Sequence, residues 1–557
     1  MTLSRGSRGP SSAPSGPDAQ SRALTGFIMN RHWAARPFRL AGPVGVMVVA
    51  LGLAGAATIL LVGSEFGLGA SNDGVLYLSA ARHLLEGSGL TDFRGDPLVI
   101  FPPLFSVLLS VVGLVGPSVE AAARALQALL YAGNFILAGI LFARVLSNRV
   151  WLIVGVLLLL FSRTFLLYHS YVLSEPLFVL LTLGMTLLLC KWRDEGQYSL
   201  LVWAALLAGL SCLTRYPGVA NTLAGSVVVL FSAESRKRRL VDASVFAAIS
   251  LAPLTVWLAR NALVAGSLTG DRLPSPYPFL LNLELVTDSI ALWFVPDEAP
   301  QWARLTLVAA GVAVIVAVLR KMGATEPGRS STSDRTVLAT VAVSHVVVIV
   351  AATSLFASDF VSTRFVMPVY VPVIVLIVAC FEWLSERFRR SRPFVAALVA
   401  VWMSVQAFTS VRLVTDRFEN GAGGYATRAW RESEVMQFVR DNPDSLGTDA
   451  FSNATLGVYL HTGLVVDFLP DRLNPRWAAG YPVDALNDRP TIKDIRALVE
   501  QPERSVILIW FRAEMRDPRY EAIYIFNQYS LDEIQNEFRL IPMSKAADGG
   551  VYRLYPR

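Results

Sequence analysis

Residues 40–64 read LAGPVGVMVVALGLAGAATILLVGS, a stretch of 25 residues without a charged side chain. A helix of this length, rising about 1.5 Å per residue, is long enough to cross the roughly 30 Å hydrocarbon core of a bilayer. The run lies too deep in the chain to be the apolar core of a cleavable signal peptide. We therefore predict that it is the first membrane span.

Further apolar runs of roughly spanning length follow along the chain. They lie at 125–143, 150–168, 173–190, 199–214, 216–233, 243–259, 305–319, 336–358, 365–381 and 393–411. The composition agrees, since 54% of the residues are hydrophobic and 17% charged, and the mean hydropathy is +0.49. The sequence thus predicts an α-helical polytopic membrane protein with about 11 transmembrane helices.

The segment 101–116, FPPLFSVLLSVVGLVG, decides the topology. If it does not span, five loops on the side of the N-terminal tail carry 16 Lys or Arg in 45 residues, and the longer opposite loops carry eight. Cytoplasmic loops are the ones enriched in Lys and Arg. We therefore expect a juxtamembrane or re-entrant helix at 101–116, a cytoplasmic N-terminus and an extracytoplasmic C-terminus in the cell membrane.

This topology divides the chain into three parts. Residues 1–39 are rich in Ser, Gly, Pro and Arg and are predicted to form a disordered cytoplasmic tail. Residues 40–411 form the transmembrane domain, with a first outer loop at 65–122. Residues 412–557 hold 39 of the 92 charged residues, and their mixed helical and β-like patterns predict a small extracytoplasmic α/β domain. Within it, GAGG at 421–424 is expected to be a hinge rather than a phosphate-binding loop.

Several chemistries are not favoured. The three cysteines each lie inside an apolar run, so neither a disulfide framework nor a Cys/His metal site is expected. The formal net charge of +6 is explained by topology, and we expect no nucleic-acid partner. A transporter usually places ionisable groups near the bilayer midplane, whereas most of those here collect at the outer ends of the spans.

Three outer-side residues stand out. Asp73, in SNDGVLYLSAARHLLEGSGL, starts an amphipathic helix, where it could also cap that helix as the N-cap residue. Glu175, in HSYVLSEPLF, precedes a proline at the start of a span, a position that is also ordinary for a first-turn glutamate. Arg163 falls in the outer half of a predicted span, so it must pair, reach water or extend to the interface.

A second group is cationic. Arg215, Arg260 and Arg364 lie at outer helix boundaries, where they could bind a phosphate or anchor the interface. The triple is more informative than its members, because the positive-inside tendency otherwise removes arginine from this side. His83 is a possible proton or phosphate contact near Asp73.

The order of these motifs resembles the membrane glycosyltransferases of the GT-C fold, which include protein mannosyltransferases and lipid A aminoarabinose transferases. The resemblance covers about residues 40–411. It rests on Asp73 followed by Tyr77, Ala80 or Ala81, Leu84 and Gly87, on PPL at 102–104, SEPLF at 174–178, GLSCLTRYPG at 209–218 and RFVMPVYVP at 364–372.

The resemblance implies an inverting hexosyl- or pentosyltransferase. A sugar would pass from a polyprenyl-phosphate donor to a cell-envelope glycan, lipid or protein acceptor on the outer face, among membrane lipids. Asp73 would be the general base, and Glu175 would be the second acidic residue of the catalytic site, orienting the acceptor or the sugar. The expected substrate contacts are Arg260 and Arg364 first, then Arg215, Arg163, His83 and Tyr77.

The sequence departs from some relatives. Asn72 precedes Asp73 and no second Asp lies two residues on, so the paired-carboxylate metal arrangement of oligosaccharyltransferases is not evident. We expect no metal and no cofactor. Other hypotheses stay open: a related outer-face transferase that uses a different lipid-linked group, a transporter or flippase of a lipid-linked sugar, and a non-catalytic scaffold with an outer sensory domain. A separation of Asp73 and Glu175 above about 15 Å would favour the scaffold, because one active site needs both residues.

Overall fold

The structure is a computed structural model. It describes residues 42–232, 235–270, 272–295, 298–325, 330–357, 361–447, 449–470, 490–512, 515 and 529–557. The predicted tail at 1–39 lies outside these residues.

Helices dominate the first part of the chain. They are α1 (Pro43–Val62), α2 (Asn72–Leu85), α3 (Leu104–Gly113), α4 (Val119–Val145), α5 (Arg149–Leu160), α6 (Arg163–His169), α7 (Glu175–Glu195), α8 (Tyr198–Thr214), α9 (Val219–Leu230), α10 (Arg236–Ala265), α11 (Phe279–Ala291), α12 (Gln301–Thr325), α13 (Ser330–Leu355), α14 (Met367–Arg387) and α15 (Arg392–Asn420). Short 3₁₀ turns lie at Tyr216–Gly218 and Arg389–Ser391.

Each predicted apolar run coincides with a helix or a helix pair. Among the described residues, eight helices are long and apolar enough to cross a membrane, and the bent pair α5 and α6, at 48°, makes a ninth candidate. The helices at Tyr198–Thr214 and Tyr216–Leu230 are shorter. The multi-pass helical fold is therefore confirmed, while the count of 11 spans and the orientation of the termini stay predictions.

The segment 101–116 contains only the ten-residue helix α3. Ten residues reach about 15 Å, roughly half of the hydrocarbon core. This length agrees with a helix that does not span. Among the described long helices, α4, α7 and α14 are the most enclosed by protein, with about two thirds or more of their most apolar stretches buried.

The bend between α5 and α6 leaves backbone groups that a membrane interior cannot hydrate. Side chains satisfy them. Ser162 accepts a hydrogen bond of 3.0 Å from the amide of Phe165 and so caps α6, while Ser410 of α15 donates one of 2.6 Å to the carbonyl of Phe161. Side chains from two parts of the chain, Ser162 before α6 and Ser410 of α15, therefore stabilise the bend.

A group of charged side chains lies at the C-terminal end of α7. Arg144 of α4 contacts Asp194 of α7 at 2.6 Å and Asp334 of α13 at 3.1 Å. These contacts tie three helix ends together at the end of α7 opposite Glu175. This group is separate from the charged side chains at the start of α7.

The C-terminal region forms a mixed sheet with helices on both faces. Its helices are α16 (Arg428–Arg431), α17 (Glu434–Asp441), α18 (Thr455–Thr462), α19 (Ile492–Val499) and α20 (Leu531–Glu537), with a 3₁₀ turn at Pro443–Leu446. Its strands are β1 (Asp449–Ser452), β2 (Asp467–Phe468), β3 (Val506–Phe511), β4 (Arg539–Ala546) and β5 (Gly549–Tyr555).

The strand order is β2-β1-β3-β5-β4, with β1 parallel to β2 and β3 and with β5 antiparallel to β3 and β4. Successive residues of β3 point to opposite faces, so Ile507 and Ile509 pack with α17 and α18, while Val506 and Leu508 pack with α19 and α20. The last long helix, α15, continues to Asn420, nine residues past the predicted domain boundary.

Candidate functional site

Four charged side chains from distant parts of the sequence meet at one place. Arg364, just before α14, reaches Asp73 of α2 with Nη2 at 2.6 Å from Oδ2, and its Nε contacts Oε1 of Glu175. Arg215, which follows α8, contacts the same Oε1 at 2.5 Å. One guanidinium therefore bridges both carboxylates, so Asp73 and Glu175 belong to one cluster and not to two separate sites.

Glu175 is the buried centre of this charge cluster, with 1% of its side chain exposed. Its Oε1 contacts both arginines, and its Oε2 is buried without a hydrogen-bond partner among the described residues. A buried carboxylate needs such pairing to stay charged. With two carboxylates and two guanidiniums, the cluster is formally neutral.

Asp73 is the more accessible carboxylate, since 27% of its side chain is exposed. Only its Oδ2 faces Arg364, and no described residue donates a hydrogen bond to Oδ1. The expectation that Asp73 caps α2 is wrong. Ser71 is the N-cap and accepts a hydrogen bond of 3.4 Å from the amide of Gly74, while Asp73 lies inside the first turn. Its side chain is therefore available for another role.

Tyr77 lies next to the charge cluster and contacts Ser174. Its hydroxyl lies 3.0 Å from Oγ of Ser174, which in turn accepts a hydrogen bond of 3.2 Å from Arg215. The ring is 1% exposed and packs against Phe101 and Phe105 at centroid distances of 4.9 and 5.0 Å. Tyr77 therefore holds Ser174 and the α2 helix in this structure, and its role as a substrate contact stays a prediction.

Backbone pairing brings Asp73 and Glu175 together. Hydrogen bonds of 2.8 and 2.9 Å join residues 69–70 to residues 170–172, and bonds of 2.8 and 3.1 Å join them to residues 423–425. Residues 69–70 thus form the middle of three paired segments. Because Asp73 follows the middle segment and Glu175 follows an outer one, these bonds fix both carboxylates.

The GAGG sequence at 421–424 forms the third of these segments. Gly423 and Gly424 have positive φ angles of 112° and 59°, and a Cβ on Gly423 would collide with Tyr171 and Arg417. Only glycine adopts this conformation at no steric cost and also allows so close an approach. The segment therefore docks the C-terminal region onto the connection between α1 and α2, and the expectation of a hinge is not supported.

Three residues that were predicted as substrate contacts, His83, Arg163 and Arg260, lie outside the described contacts of the cluster. His83 is on α2 ten residues beyond Asp73, about 15 Å along the helix, and its Nδ1 lies 2.8 Å from Oγ1 of Thr91. Arg163 is exposed at the start of α6, where its amide donates a hydrogen bond of 3.3 Å to Gln406. The prediction that His83 lies near Asp73 is wrong, because the helix carries it away.

Arg260 contacts the loop between α2 and α3. It donates hydrogen bonds of 3.1 Å to the carbonyl of Leu98 and to Asn261, and it stacks on the ring of Trp257 at 4.8 Å. Tyr216 donates a hydrogen bond of 2.6 Å to the next carbonyl, that of Val99. The same loop leads to Phe101, which packs against Tyr77. The role of Arg260 as a substrate contact stays a prediction.

The pKa of Arg364 reflects its burial and its two carboxylate partners. Burial disfavours its charged form, but the carboxylates of Glu175 and Asp73 outweigh that effect and raise the pKa of Arg364 above its ordinary value. The guanidinium is therefore a permanent positive charge at this place. Within the described ranges, no three His, Cys, Asp or Glu side chains are grouped closely enough to hold a metal ion.

Comparison with known proteins identifies the fold. No family model and no curated protein matches this sequence. The crystal structure of ArnT from Cupriavidus metallidurans in the apo state is 12% identical, with a TM-score of 0.57 over 92% of this chain and 98% of that chain. The same protein bound to undecaprenyl phosphate also has a TM-score of 0.57 at 12% identity, over 91% of this chain and 97% of that chain.

The archaeal oligosaccharyltransferase AglB from Archaeoglobus fulgidus, in complex with an inhibitory peptide and a dolichol-phosphate, is 12% identical. Its TM-score is 0.53, over 91% of this chain and 74% of that chain. These structures share the GT-C architecture, so the fold predicted from the motifs is confirmed. The likeness extends through the C-terminal region, beyond the part that the sequence motifs covered.

Proposed function

We propose that this chain is a membrane glycosyltransferase that moves a sugar from a polyprenyl-phosphate donor to a cell-envelope acceptor on the outer face. The observation that carries the proposal is the cluster in which Arg364 bridges Asp73 and Glu175. Its setting is a fold that matches ArnT over nearly the whole length of both chains. Similar structures have been solved with undecaprenyl phosphate and with a dolichol-phosphate.

In this proposal, Asp73 is the general base. As the acceptor hydroxyl attacks the anomeric carbon, its proton passes to the carboxylate, with Oδ1 as the oxygen that has no described hydrogen-bond donor. The acceptor oxygen forms the new glycosidic bond, and the bond from the sugar to phosphate breaks with inversion. Such base catalysis typically contributes about 10²- to 10⁴-fold to the rate.

Arg364 and Arg215 stabilise the departing phosphate. The polyprenyl phosphate leaves with the electron pair of the broken bond, so negative charge grows on its oxygen. Both guanidiniums contact one carboxylate oxygen of Glu175. They are therefore held side by side before the negative charge develops on the phosphate. Glu175 then acts by placing the two arginines, and it leaves Asp73 as the carboxylate that meets the acceptor.

The test is transfer of labelled sugar from synthetic polyprenyl-phosphate sugars by purified protein in lipid nanodiscs. The proposal expects transfer by the wild-type protein and a loss of at least 100-fold in Asp73→Asn, which keeps the size of the side chain. A matched control is Asp288→Asn, which alters the carboxylate that pairs with Arg304 at 2.7 Å between α11 and α12. Equal transfer by Asp73→Asn and Asp288→Asn would reject Asp73 as the base.

A further inference from the structure

The backbone that carries Glu175 is irregular and buried. Residues 170–174 connect α6 to α7 inside the helical bundle, and Ser170 and Ser174 are each at most 1% exposed. Carbonyls in such a connection need partners, because no water reaches them. Two side chains of α4 supply hydrogen bonds on either side of Glu175.

Gln127 donates a hydrogen bond of 2.7 Å from Nε2 to the carbonyl of Leu173, and Asn134 donates one of 2.8 Å from Nδ2 to the carbonyl of Pro176. Both side chains are completely buried. They are seven residues apart, which is two helical turns, so they lie on one face of α4 about 10 Å from each other. The carbonyls that they bind flank Ser174 and Glu175.

The orientation of Asn134 follows from its neighbours. Its Nδ2 also lies 3.0 Å from Nε2 of His169, whose Nδ1 is 2.7 Å from the carbonyl of Phe165. A carbonyl can only accept, so His169 carries its proton on Nδ1 and its Nε2 accepts from Asn134. Both amide hydrogens of Asn134 are then used, one on α6 and one on α7, and the amide joins the two sides of the connection.

We propose that Gln127 and Asn134 are positioning residues for catalysis, because they fix the backbone from which Glu175 holds Arg364 and Arg215. This inference rests on the proposed function. Without these hydrogen bonds, the buried carbonyl of Leu173 loses its donor Gln127, the link between Asn134 and the first turn of α7 is lost, and the start of α7 shifts. A displacement of about 1 Å at a reacting group costs on the order of 10²-fold in rate.

The variants Gln127→Met and Asn134→Leu test the proposal, since each removes the donors and nearly keeps the volume. Asn221→Leu is the matched control. Asn221 of α9 is equally buried and also donates two hydrogen bonds, both of 2.9 Å, to Thr182 and Ser211. We expect similar losses of thermal stability in Asn134→Leu and Asn221→Leu, because each loses two buried hydrogen bonds.

Measurements of kcat distinguish a positioning role from a purely structural one. Gln127→Met and Asn134→Leu are expected to lower kcat by 10- to 100-fold with little change in the KM for the donor, whereas Asn221→Leu keeps kcat within about twofold. In a Glu175→Gln background, the same two substitutions should lower kcat no further, because they act through Glu175. Values of kcat equal to those of Asn221→Leu, or a full additional loss in the Glu175→Gln background, would overturn the proposal.

Hydrogen exchange keeps the test independent of the assay. The amides of residues 171–178 should exchange at least tenfold faster in Asn134→Leu than in the wild type, and at the wild-type rate in Asn221→Leu. If the wild-type protein transfers no sugar, the proposed function fails while the exchange data still decide whether the amides fix this backbone. Unchanged exchange in Asn134→Leu would reject the inference on its own.

Discussion

Arg364 offers the most informative substitution, because one side chain joins the two carboxylates of the cluster. Replacement by methionine keeps much of the volume and removes the guanidinium. Glu175 would keep only Arg215 at 2.5 Å, and Asp73 would lose its described ion pair. Replacement by lysine would keep the charge, but an ammonium group cannot reach two carboxylates with the forked geometry of arginine.

The size of the effect follows from burial. Removing one partner of a buried ion pair usually costs about 3–5 kcal/mol in the free energy of unfolding. We expect about 3 kcal/mol for Arg364→Met, at the lower end, because Arg215 still neutralises Glu175 and because Asp73 is 27% exposed. Loss of one group that stabilises the departing phosphate should lower kcat by about 10²- to 10³-fold. Arg364→Lys should cost about 1 kcal/mol and about tenfold in kcat.

The assay combines unfolding in a denaturing detergent with sugar transfer in nanodiscs. Arg304→Met is a matched control, because Arg304 makes two hydrogen bonds of 2.7 and 2.9 Å to Asp288, between α11 and α12. Its stability should fall by a similar amount, while transfer per folded molecule stays within about twofold of wild type. If Arg364→Met and Arg304→Met transfer equally well per folded molecule, the cluster has no role in the chemistry.

Three further outcomes are expected. Tyr77→Phe removes one neutral hydrogen bond to Ser174, so it should cost about 1 kcal/mol in stability and less than tenfold in kcat, measured by unfolding and by transfer. Gly423→Ala should destabilise the protein by about 1–3 kcal/mol, through its positive φ and a collision with its neighbours, and hydrogen exchange at residues 69–70 should accelerate. Burial lowers the pKa of His461, so the unfolded state binds a proton first and the stability of the C-terminal region should fall as the pH drops below about 6.5. The slope should be at most about 1.4 kcal/mol per pH unit, the limit for one proton, and unfolding curves of His461→Phe from pH 7.5 to 5.5 should lack it.

The sequence predicted the helices well because long apolar runs have few alternatives in a membrane. It also predicted that 101–116 is not a full span, which agrees with the ten-residue helix α3. The C-terminal region was less predictable. Two of the β-like runs in the sequence, SVILIWF at 505–511 and VYRLY at 551–555, coincide with β3 and β5, but β1 and β4 were missed. β1 has four residues, and β4 is an edge strand with little burial, so neither shows a strong alternating pattern.

The candidate site was predicted in part. The four charged residues of the cluster were all named from the sequence, because charge is rare in this part of the chain and the motifs follow a known order. Their contacts were not predictable, since Arg215 and Arg364 are far apart along the sequence. The hydrogen bonds of Gln127 and Asn134 were missed, because single polar residues inside an apolar helix give no signal until their partners are known.

His83 and Arg260 show that the predicted side of the membrane is not enough to place a residue in a site. Both were expected on the outer side, but a shared side does not place residues in one site. His83 lies about 15 Å along α2 from Asp73, and Arg260 binds the backbone of Leu98. GAGG was misjudged for a similar reason, because its partner at residues 69–70 is more than 350 residues away.

The central claim is that Asp73 accepts the proton of the acceptor in a sugar transfer from a polyprenyl-phosphate donor. The most direct measurement is the rate of labelled sugar transfer by wild type and Asp73→Asn, at equal amounts of folded protein and at saturating donor. The account predicts transfer by the wild type and a loss of at least 100-fold in kcat in the variant, with the KM for the donor little changed. Transfer by Asp73→Asn at the wild-type rate would contradict it.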